Sequence, residues 1–436
     1  MRSFASVFIA VVIGAALIIA AVLINNRRPR VETQQPTSAN VRASGKCAEC
    51  HARETPAIVH EYEISRHAAK GINCLDCHGP ADGQPQYEHR GFNLAKNLTS
   101  ANCSRCHAAQ YRQFLRSRHA APSWAAITGP RDFKPEQIAF AEQFHPGAVN
   151  RAANAVGTLE GPVAQAGGCI QCHAVGRPNT DGSIGTCTNC HARHAASVTL
   201  ARLPETCGQC HMGPDHSQIE IYHESKHGIL FNAQRSLMHL DAAAAKLTTR
   251  DMPVPTCATC HLSGLEGQAV THDTSERLSW YLFAEISQKR PAYLQAQNNM
   301  KEICLKCHTR SRIDPFYTAA ETQLLQTNQI VGQAKAIMDQ LHKAGKLTPK
   351  PFDEVLEYTY FNMWHYAGRT SKHGAFMGGA DFVQWHGNYE LVSKLTEIRN
   401  AASEMGVTPA ATPVPAAAAT PAVAPAVPVA PTSGPR

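Results

Sequence analysis

All sixteen cysteines of this 436-residue chain belong to one repeated pattern, Cys-x-x-Cys-His, which occurs eight times. In chain order, the first to eighth motifs consist of Cys47, Cys50 and His51; Cys74, Cys77 and His78; Cys103, Cys106 and His107; Cys169, Cys172 and His173; Cys187, Cys190 and His191; Cys207, Cys210 and His211; Cys257, Cys260 and His261; and Cys304, Cys307 and His308. Two cysteines at this spacing bond to the vinyl groups of haem c, and the histidine after them is the proximal iron ligand. Because no cysteine lies outside the motifs, the sequence predicts eight covalently bound haem c groups and no disulfide.

A zinc site is the alternative use of such cysteines, but zinc sites pair Cys-x-x-Cys units around one ion and need no histidine after each unit. Eight haems between residues 47 and 308 amount to about one per 33 residues. At that density the porphyrin faces must supply much of the buried apolar surface, with short helices and loops around them. We therefore predict an all-α multihaem cytochrome c whose chain is largely unfolded without its haems.

The polypeptide has a formal charge of +7 and a pI of about 8.7. Each oxidised haem adds about one negative charge through its propionates, so the haem-loaded protein should be close to neutral. The basic balance of the chain therefore does not indicate a nucleic-acid partner.

The N-terminal segment is uncharged and mostly apolar from Ser3 to Leu23, which is about the 20 residues that a membrane-spanning helix needs. It predicts an uncleaved signal-anchor within residues 1–30, with a cleaved signal peptide as the alternative. Haem c is attached outside the bacterial cytoplasmic membrane, so we expect the periplasmic face of the inner membrane, or the soluble periplasm after cleavage. More arginines follow the segment than precede it, which opposes this orientation.

Composition divides the rest of the chain into four parts. They are a polar tether at 31–45, an octahaem domain at 46–312, a C-terminal helical domain at 313–405 and an Ala/Pro-rich tail at 406–436. Apolar residues at three-to-four spacing predict helices over 319–346, 352–373 and 382–402, and hence a bundle of long helices. The tail cannot bury a core and is expected to be disordered.

A second repeat, Ser-Arg/Lys-His followed by Ala or Gly, occurs four times, at His67, His119, His227 and His373. We interpret these histidines as distal ligands of six-coordinate haems, with the small residue after them allowing a close approach to the porphyrin. Surface histidines at basic helix ends are the alternative. Further distal candidates are His60, His194, His223, His239, His272, His365 and His386.

The sixth motif begins the stretch from Cys207 to Gly228, which concentrates polar chemistry. Asp215 and His216 place a carboxylate beside an imidazole on a Gly-Pro turn. His223 and His227 are four residues apart, which puts them on one face of a predicted helix. The combination indicates a redox active site.

The eight motifs resemble those of the octahaem hydroxylamine oxidoreductase family when they are taken with three further groups of residues. These are Gly213-Pro214-Asp215-His216, Glu224-Ser225-Lys226-His227-Gly228, and the C-terminal Met363-Trp364-His365, His373-Gly374-Ala375, Gly379-Ala380-Asp381-Phe382 and Gln384-Trp385-His386-Gly387. The resemblance covers roughly residues 45–395.

The resemblance implies seven bis-histidine haems and one catalytic haem with an open distal side at the fourth motif. Asp215 and His216 would lie over that iron and accept protons. In the alternative interpretation, His216 ligates a neighbouring haem and Asp215 caps the next helix.

The resemblance also implies a homotrimer in which a tyrosine of a neighbouring protomer bonds to the catalytic porphyrin. Tyr358 and Tyr360 lie in the matching region, and we prefer Tyr360, which is four residues before Trp364. Packing within the helix is the simpler explanation for either tyrosine.

The function implied is oxidation of hydroxylamine, or hydrazine, to nitric oxide or nitrite. Electrons would pass to a small cytochrome c or a membrane quinone oxidoreductase. One alternative is a reductase that forms ammonium from nitrite or hydroxylamine, and another is a non-catalytic electron conduit.

Overall fold

The computed structural model describes residues 13–17, 19–20 and 45–408. Almost all of the predicted tether and tail, and most of the predicted signal-anchor, lie outside these residues. Among the described helices, none is both long and apolar enough to cross a membrane.

Short helices fill the first half of the haem region. They are α1 Lys46–Glu54, α2 Pro56–Glu63, α3 Cys74–His78, α4 Ser100–Ser104, α5 Ala108–Leu115, α6 Ala121–Thr128, α7 Pro135–Phe144, α8 Ala155–Glu160, α9 Pro162–Gly167 and α10 Cys169–His173. A single hairpin, β1 Gln86–His89 and β2 Phe92–Ala95, interrupts them in the described chain.

The second half continues with α11 Val198–Arg202, α12 Pro204–Gly208, α13 Gln218–Glu224, α14 Lys226–Gln234, α15 Cys257–His261 and α16 Tyr293–Cys304. Single 3₁₀ turns are formed by Ala68–Lys70, Ala174–Gly176, Cys187–Asn189, Arg235–Leu237, Ala244–Lys246 and Leu265–Gly267. The C-terminal part consists of α17 Arg310–Lys343, α18 Val355–Asn362, α19 Arg369–Met377, α20 Ala380–Val383 and α21 Glu390–Glu404. The predicted all-α class is confirmed.

The haem motifs themselves form single helical turns, as α3, α10 and α15 show. Residues i, i+3 and i+4 of a helix share one face, so both thiols and the imidazole of a motif point to the same side. Asn73 begins α3 with a reciprocal capping box to Asp76. The cap fixes the start of the helical turn at the first cysteine and thereby sets the orientation of all three side chains of the motif.

The hairpin turns through Arg90 and Gly91, which both have positive φ, 51° and 83°. Two left-handed residues between paired strands form the turn whose twist matches that of a hairpin. The register pairs His89 with Phe92. The hairpin therefore holds His89 at the end of a strand, next to the turn.

The C-terminal helices pack around an apolar core that includes Val331, Ala334, Leu341, Leu391 and Ile398, all fully or almost fully buried. The predicted bundle is present, but α17 begins at Arg310, nine residues before the predicted start. Pro315 lies inside its second turn, where a proline removes one backbone hydrogen bond. The long apolar face of α17 outweighs that loss.

The other two predicted C-terminal helices are not regular. π-helical turns at Met363–Gly368 and Gln384–Tyr389 join α18 to α19 and α20 to α21. Such turns insert an extra residue into a helix and are frequent at functional sites. A three-to-four spacing of apolar residues does not reveal them.

The predicted single helix carrying His223 and His227 is wrong. Ser225 has an extended backbone and separates α13 from α14. A Cβ atom on Gly228 would lie 1.9 Å from the carbonyl oxygen of Tyr222. The chain therefore reverses sharply after α13, and only glycine permits this approach. The small residue at this occurrence is required by close contact with the backbone of the chain itself.

Candidate functional site

One continuous cavity of about 5820 Å³ runs through the described chain, and every cysteine and histidine of the eight motifs lines it. Divided equally among the eight motifs, the cavity provides roughly 730 Å³ for each motif. Binding sites for sizeable organic ligands have volumes of about 300–1000 Å³, so this volume is within their range. The volume and its lining residues fit haem groups.

Six proximal histidines have a second imidazole about 6 Å away across this cavity. One of them is His173 of the fourth motif, 6.4 Å from His216 with the rings nearly perpendicular. For the other five, the ring-centroid distances are 6.4 Å for His51–His89, 6.1 Å for His107–His67, 6.4 Å for His191–His272, 5.8 Å for His211–His119 and 6.0 Å for His308–His227. Imidazoles that ligate one iron from opposite sides stand about 6 Å apart between centroids, because each metal–nitrogen bond is about 2 Å. These pairs fit six-coordinate haems.

Sequence reasoning missed one member of these pairs, His89. It lies in a hairpin and lacks the Ser-x-His pattern, so the only available signal was that it was one of the histidines left over after the proximal ligands. His194 comes within electrostatic range of His78, the proximal residue of the second motif. His261 of the seventh motif forms no ring pair of this kind within the described chain, although His119, which faces His211, is within its electrostatic range.

Among the described residues, His223, His239, His386 and His60 form no ring pair with a proximal imidazole, whereas His373 lies within electrostatic range of His211. His223 packs edge-on against Tyr222, His239 bonds Asp251 at 3.2 Å on the surface, and His386 lies 3.1 Å from Asp381. His60 is exposed. His373 is buried against Phe283, with ring centroids 4.7 Å apart.

The serine of the Ser-x-His repeat bonds a backbone amide close to the histidine at three of its four occurrences. Each of these serine Oγ atoms accepts a hydrogen bond from a backbone amide. The donors are the amide of Ala68 to Ser65 at 3.0 Å, that of His119 to Ser117 at 3.0 Å, and that of Gly228 to Ser225 at 3.2 Å. These bonds fix the backbone that carries the histidine. The fourth serine, Ser371, lies inside α19 instead, so the repeat there has a different geometry.

Neighbouring motifs place their cysteine thiols within hydrogen-bonding or electrostatic range of one another. The neighbouring thiols are Cys47 with Cys74, Cys77 with Cys103, Cys103 with Cys187, Cys190 with Cys207, Cys172 with Cys210, Cys207 with Cys257, and Cys260 with Cys304. The motifs thus form a chain in the order first, second, third, fifth, sixth, seventh, eighth. The fourth motif branches from the sixth.

The fourth motif has a well-defined proximal histidine. His173 Nδ1 lies 2.7 Å from the carbonyl oxygen of Ser123. A carbonyl can only accept, so Nδ1 carries the hydrogen and Nε2 is left free to ligate a metal. This tautomer fits an axial iron ligand.

Asp215 and His216 lie opposite His173. The rings of His173 and His216 are 6.4 Å apart and nearly perpendicular. His216 Nδ1 donates to Asp215 Oδ2 at 2.6 Å, which leaves Nε2 of His216 free. His216 is also 6.0 Å from His211, but His211 already faces His119. Ser217, not Asp215, begins the following helix.

Arg369 and His365 complete the surroundings of Asp215. Arg369 Nη1 lies 3.4 Å from Asp215 Oδ2, and His365 Nδ1 lies 3.8 Å from it. Burial raises the pKa of Asp215, but the hydrogen bond from His216 and the positive charges around it outweigh burial and lower the pKa to about 2. Burial, with the charge of Arg369, lowers the pKa of His365 to about 3. His365 is therefore neutral at pH 7, and its distance to Asp215 is not that of a hydrogen bond.

A short loop closes the other side of His216. Phe283 packs on the His216 ring with centroids 4.8 Å apart. Arg369 Nε donates to the Phe283 carbonyl at 3.0 Å, and the fully buried Lys372 donates to the next carbonyl, that of Ala284, at 2.9 Å. Two basic side chains of α19 thus hold the loop that covers the imidazole.

The two candidate tyrosines lie in the helix before this site. Tyr360 packs against the apolar core of the C-terminal helices, and its hydroxyl is buried without a hydrogen-bond partner among the described residues. Tyr358 has 40% of its surface exposed. A third tyrosine, Tyr366, is within electrostatic range of Asp215. The sequence pattern did not single it out because the π-helical turn that positions it was not predicted.

Comparison with known proteins places this arrangement in a family. The family described as "Seven times multi-haem cytochrome CxxCH" matches residues 70–353. That range contains the second to eighth motifs, and the first lies before it. The match supports covalently bound haem c and a redox function.

Among curated proteins, a probable nitrite reductase-hydroxylamine oxidoreductase fusion protein of Kuenenia stuttgartiensis is 23% identical over 375 residues. The alignment covers 70% of this chain but only 39% of that relative. Two solved structures share the fold at 20% identity over 85% of this chain. The first is a hypothetical multiheme protein, of which the alignment covers 99%, with a TM-score of 0.71. The second is the reducing HAO-like protein complex of Kuenenia stuttgartiensis, in which the alignment covers 88% of the matched chain, with a TM-score of 0.64.

The names of these relatives agree with the resemblance predicted from the motifs, which is confirmed. The chain belongs to the multi-haem cytochrome CxxCH family and is similar to proteins named as hydroxylamine oxidoreductase fusion or HAO-like proteins.

Proposed function

We propose that the chain is an octahaem oxidoreductase that oxidises hydroxylamine, or hydrazine, at the fourth motif. The observation that carries the proposal is the Asp215–His216 pair, which faces His173 from across the cavity. A haem c at this motif would supply the electron-accepting iron and porphyrin.

The side chains of the protein bind the proton and hold the reacting groups in position. With a pKa near 2, Asp215 is ionised and is a weak base, so its role is to hold the Nδ1 hydrogen of His216. His216 then presents Nε2 to the cavity and accepts a proton from the substrate. Phe283, held by Arg369, keeps the imidazole in place and excludes water from one face.

The branched order of the motifs supports the electron path. Because the fourth motif contacts the chain of motifs through the sixth, electrons released there would reach the other seven through one point. We propose that they leave to a small cytochrome c or a membrane quinone oxidoreductase. We further propose a periplasmic protein, membrane-anchored through its N-terminus, that assembles as a homotrimer.

The reductase is the second candidate. It is favoured by Tyr360, because its hydroxyl is buried against the apolar core of its own chain and is therefore not presented to a neighbouring protomer. Only Tyr358, which is exposed, presents its ring for a bond to another protomer. The name of the reducing HAO-like relative points in the same direction.

Digestion of the holoprotein followed by mass spectrometry decides between the two. Oxidation predicts a haem-bearing peptide joined to one with Tyr358 or Tyr360, together with hydroxylamine-dependent reduction of a cytochrome c acceptor. Absence of the joined peptide, with ammonium formed from nitrite and a strong reductant, establishes the reductase. The third outcome is an electron-spin spectrum that shows only six-coordinate, low-spin haems and does not change when hydroxylamine or nitrite is added. That result would show that the protein is a non-catalytic electron conduit.

A further inference from the structure

Two arginines face the cavity without a carboxylate partner. Arg118 and Arg290 both line the cavity, and each guanidinium carbon lies 5.5 Å from the centre of the Tyr281 ring. Two cations beside one aromatic ring repel each other. Such an arrangement is costly unless an anion balances it.

The protein supplies few acceptors for these groups. Arg290 Nη1 donates to backbone carbonyls, including that of Leu278 at 3.1 Å, but its Nε is buried without a partner. The guanidinium of Arg118 makes no hydrogen bond or ion pair within the described chain, although its backbone amide donates to Ser275 Oγ at 2.8 Å. The guanidinium donors of Arg118, and those of Arg290 that are not bonded to carbonyls, are therefore available to a ligand.

The nearest charges behind the pair do not neutralise it. Asp273 is within electrostatic range of Arg290 and of Arg116, whose Nε is also buried without a partner. Among the described residues, Arg118 has no carboxylate in its electrostatic range and instead has Arg290 and Arg151 there, so positive charge is in excess around the pair. One haem c carries two propionate groups, and neither is used in covalent attachment.

We propose that Arg118 and Arg290 form a carboxylate-binding site that holds the propionates of the haem shared by His119 and His211. The position of Arg118 directly before His119 connects the site to that haem. Arginine is suited to this role because its planar donors match a carboxylate in two-point geometry. The inference depends on haem c binding and not on the nitrogen chemistry proposed above.

Redox titration of the holoprotein, followed by its absorption and electron-spin spectra, tests the site. Arg118→Gln should lower the midpoint potential of one low-spin haem, because an unneutralised propionate disfavours the added electron. The potential of that haem should also become more dependent on pH, since the released propionate can now titrate. Arg118→Lys, which keeps the charge, should stay close to the parent potential. Arg131→Gln, a surface arginine with 69% of its side chain exposed, should change nothing.

A free oxyanion such as nitrite has the same chemistry as a propionate, and a second arm of the titration separates the two. If added nitrite shifts the potentials of the parent protein and Arg118→Gln abolishes that shift, with no change in nitrite-free buffer, the propionate assignment is overturned. Unchanged potentials in Arg118→Gln and Arg290→Gln under both conditions also overturn it. Should Arg118→Gln not accumulate with its full haem content, Arg290→Gln provides the same readout.

Discussion

His216 Nδ1 donates to Asp215 Oδ2 at 2.6 Å, and this bond determines which nitrogen of the imidazole faces the cavity. Arg369 contacts the same carboxylate oxygen at 3.4 Å. Together these contacts keep Asp215 ionised and His216 in a single tautomer. The pair therefore acts as one unit, in which Asp215 positions and His216 exchanges the proton.

Replacing Asp215 by Asn should lower substrate turnover at the fourth motif by about 100-fold or more, which is the usual contribution of a positioned acid–base group. An amide can present its NH₂ group to His216 and so favour the wrong tautomer. Steady-state kinetics with hydroxylamine as electron donor, and separately with nitrite as acceptor, measure the effect in either direction.

The matched control is Asp251→Asn, since Asp251 also bonds a histidine, His239, but at the surface. That variant should keep full activity. Full activity in Asp215→Asn with normal haem content would remove Asp215 from the proposed mechanism.

The haem sites could be predicted from the sequence because covalent attachment needs a fixed local pattern. Cys169, Cys172 and His173 lie within five residues, and a single helical turn brings them to one face. Four predicted distal histidines, His67, His119, His227 and His272, also face proximal ones. Their pairing joins residues far apart in the chain, which local patterns do not specify.

The features that sequence reasoning missed depend on long-range packing or on local backbone breaks. His89 is positioned by a hairpin turn, and Tyr366 by a π-helical turn. Phe283 is a loop residue whose role comes from two basic side chains of α19, Arg369 and Lys372. No periodicity in the sequence indicates such contacts.

Gly228→Ala should destabilise the protein severely, by roughly 3 kcal/mol or more, because the new methyl would overlap the Tyr222 carbonyl in a tightly packed turn. Moving that turn would also displace His227 from His308. Thermal unfolding followed in the Soret region measures the first effect, and the electron-spin spectrum the second.

Gly332→Ala is the matched control for the same substitution. Gly332 lies inside α17, and its nearest neighbour to a new Cβ is Ile286 Cδ1 at 3.9 Å. Alanine is favoured over glycine in a helix by about 0.8–1 kcal/mol, so this variant should be slightly more stable than the parent. Equal stability of the two variants would contradict the tight packing at Gly228.

Acid should destabilise the protein partly through His145, a buried histidine whose Nε2 donates to the Arg116 carbonyl at 2.7 Å. Burial and the charge of Arg118 lower its pKa to about 4, from 6.5 in the unfolded chain. The unfolded state therefore binds the proton first. Stability from this group is complete above pH 6.5 and is lost as the pH falls to 4, by about 3 kcal/mol at pH 4.5.

His145→Gln, which retains an N–H donor but does not titrate, isolates this contribution. Denaturant unfolding of parent and variant at several pH values should show a difference in slope between pH 6.5 and 4 and parallel curves outside that window. Other acid-sensitive groups, including the haem ligands, affect both proteins equally and cancel in the comparison. Parallel curves throughout would show that His145 does not resist protonation.

Removing His89 should convert one haem from six-coordinate to five-coordinate. The ring of His89 is 6.4 Å from that of His51 across the first motif, the motif that lies outside the residues matched by the family description. In His89→Ala, a high-spin signal equal to about one haem should appear in the electron-spin spectrum. His239→Ala, a surface histidine with 67% of its side chain exposed, should leave the spectrum unchanged. If His89→Ala also leaves it unchanged, His89 is not an iron ligand, and the hairpin serves only to cover the first motif.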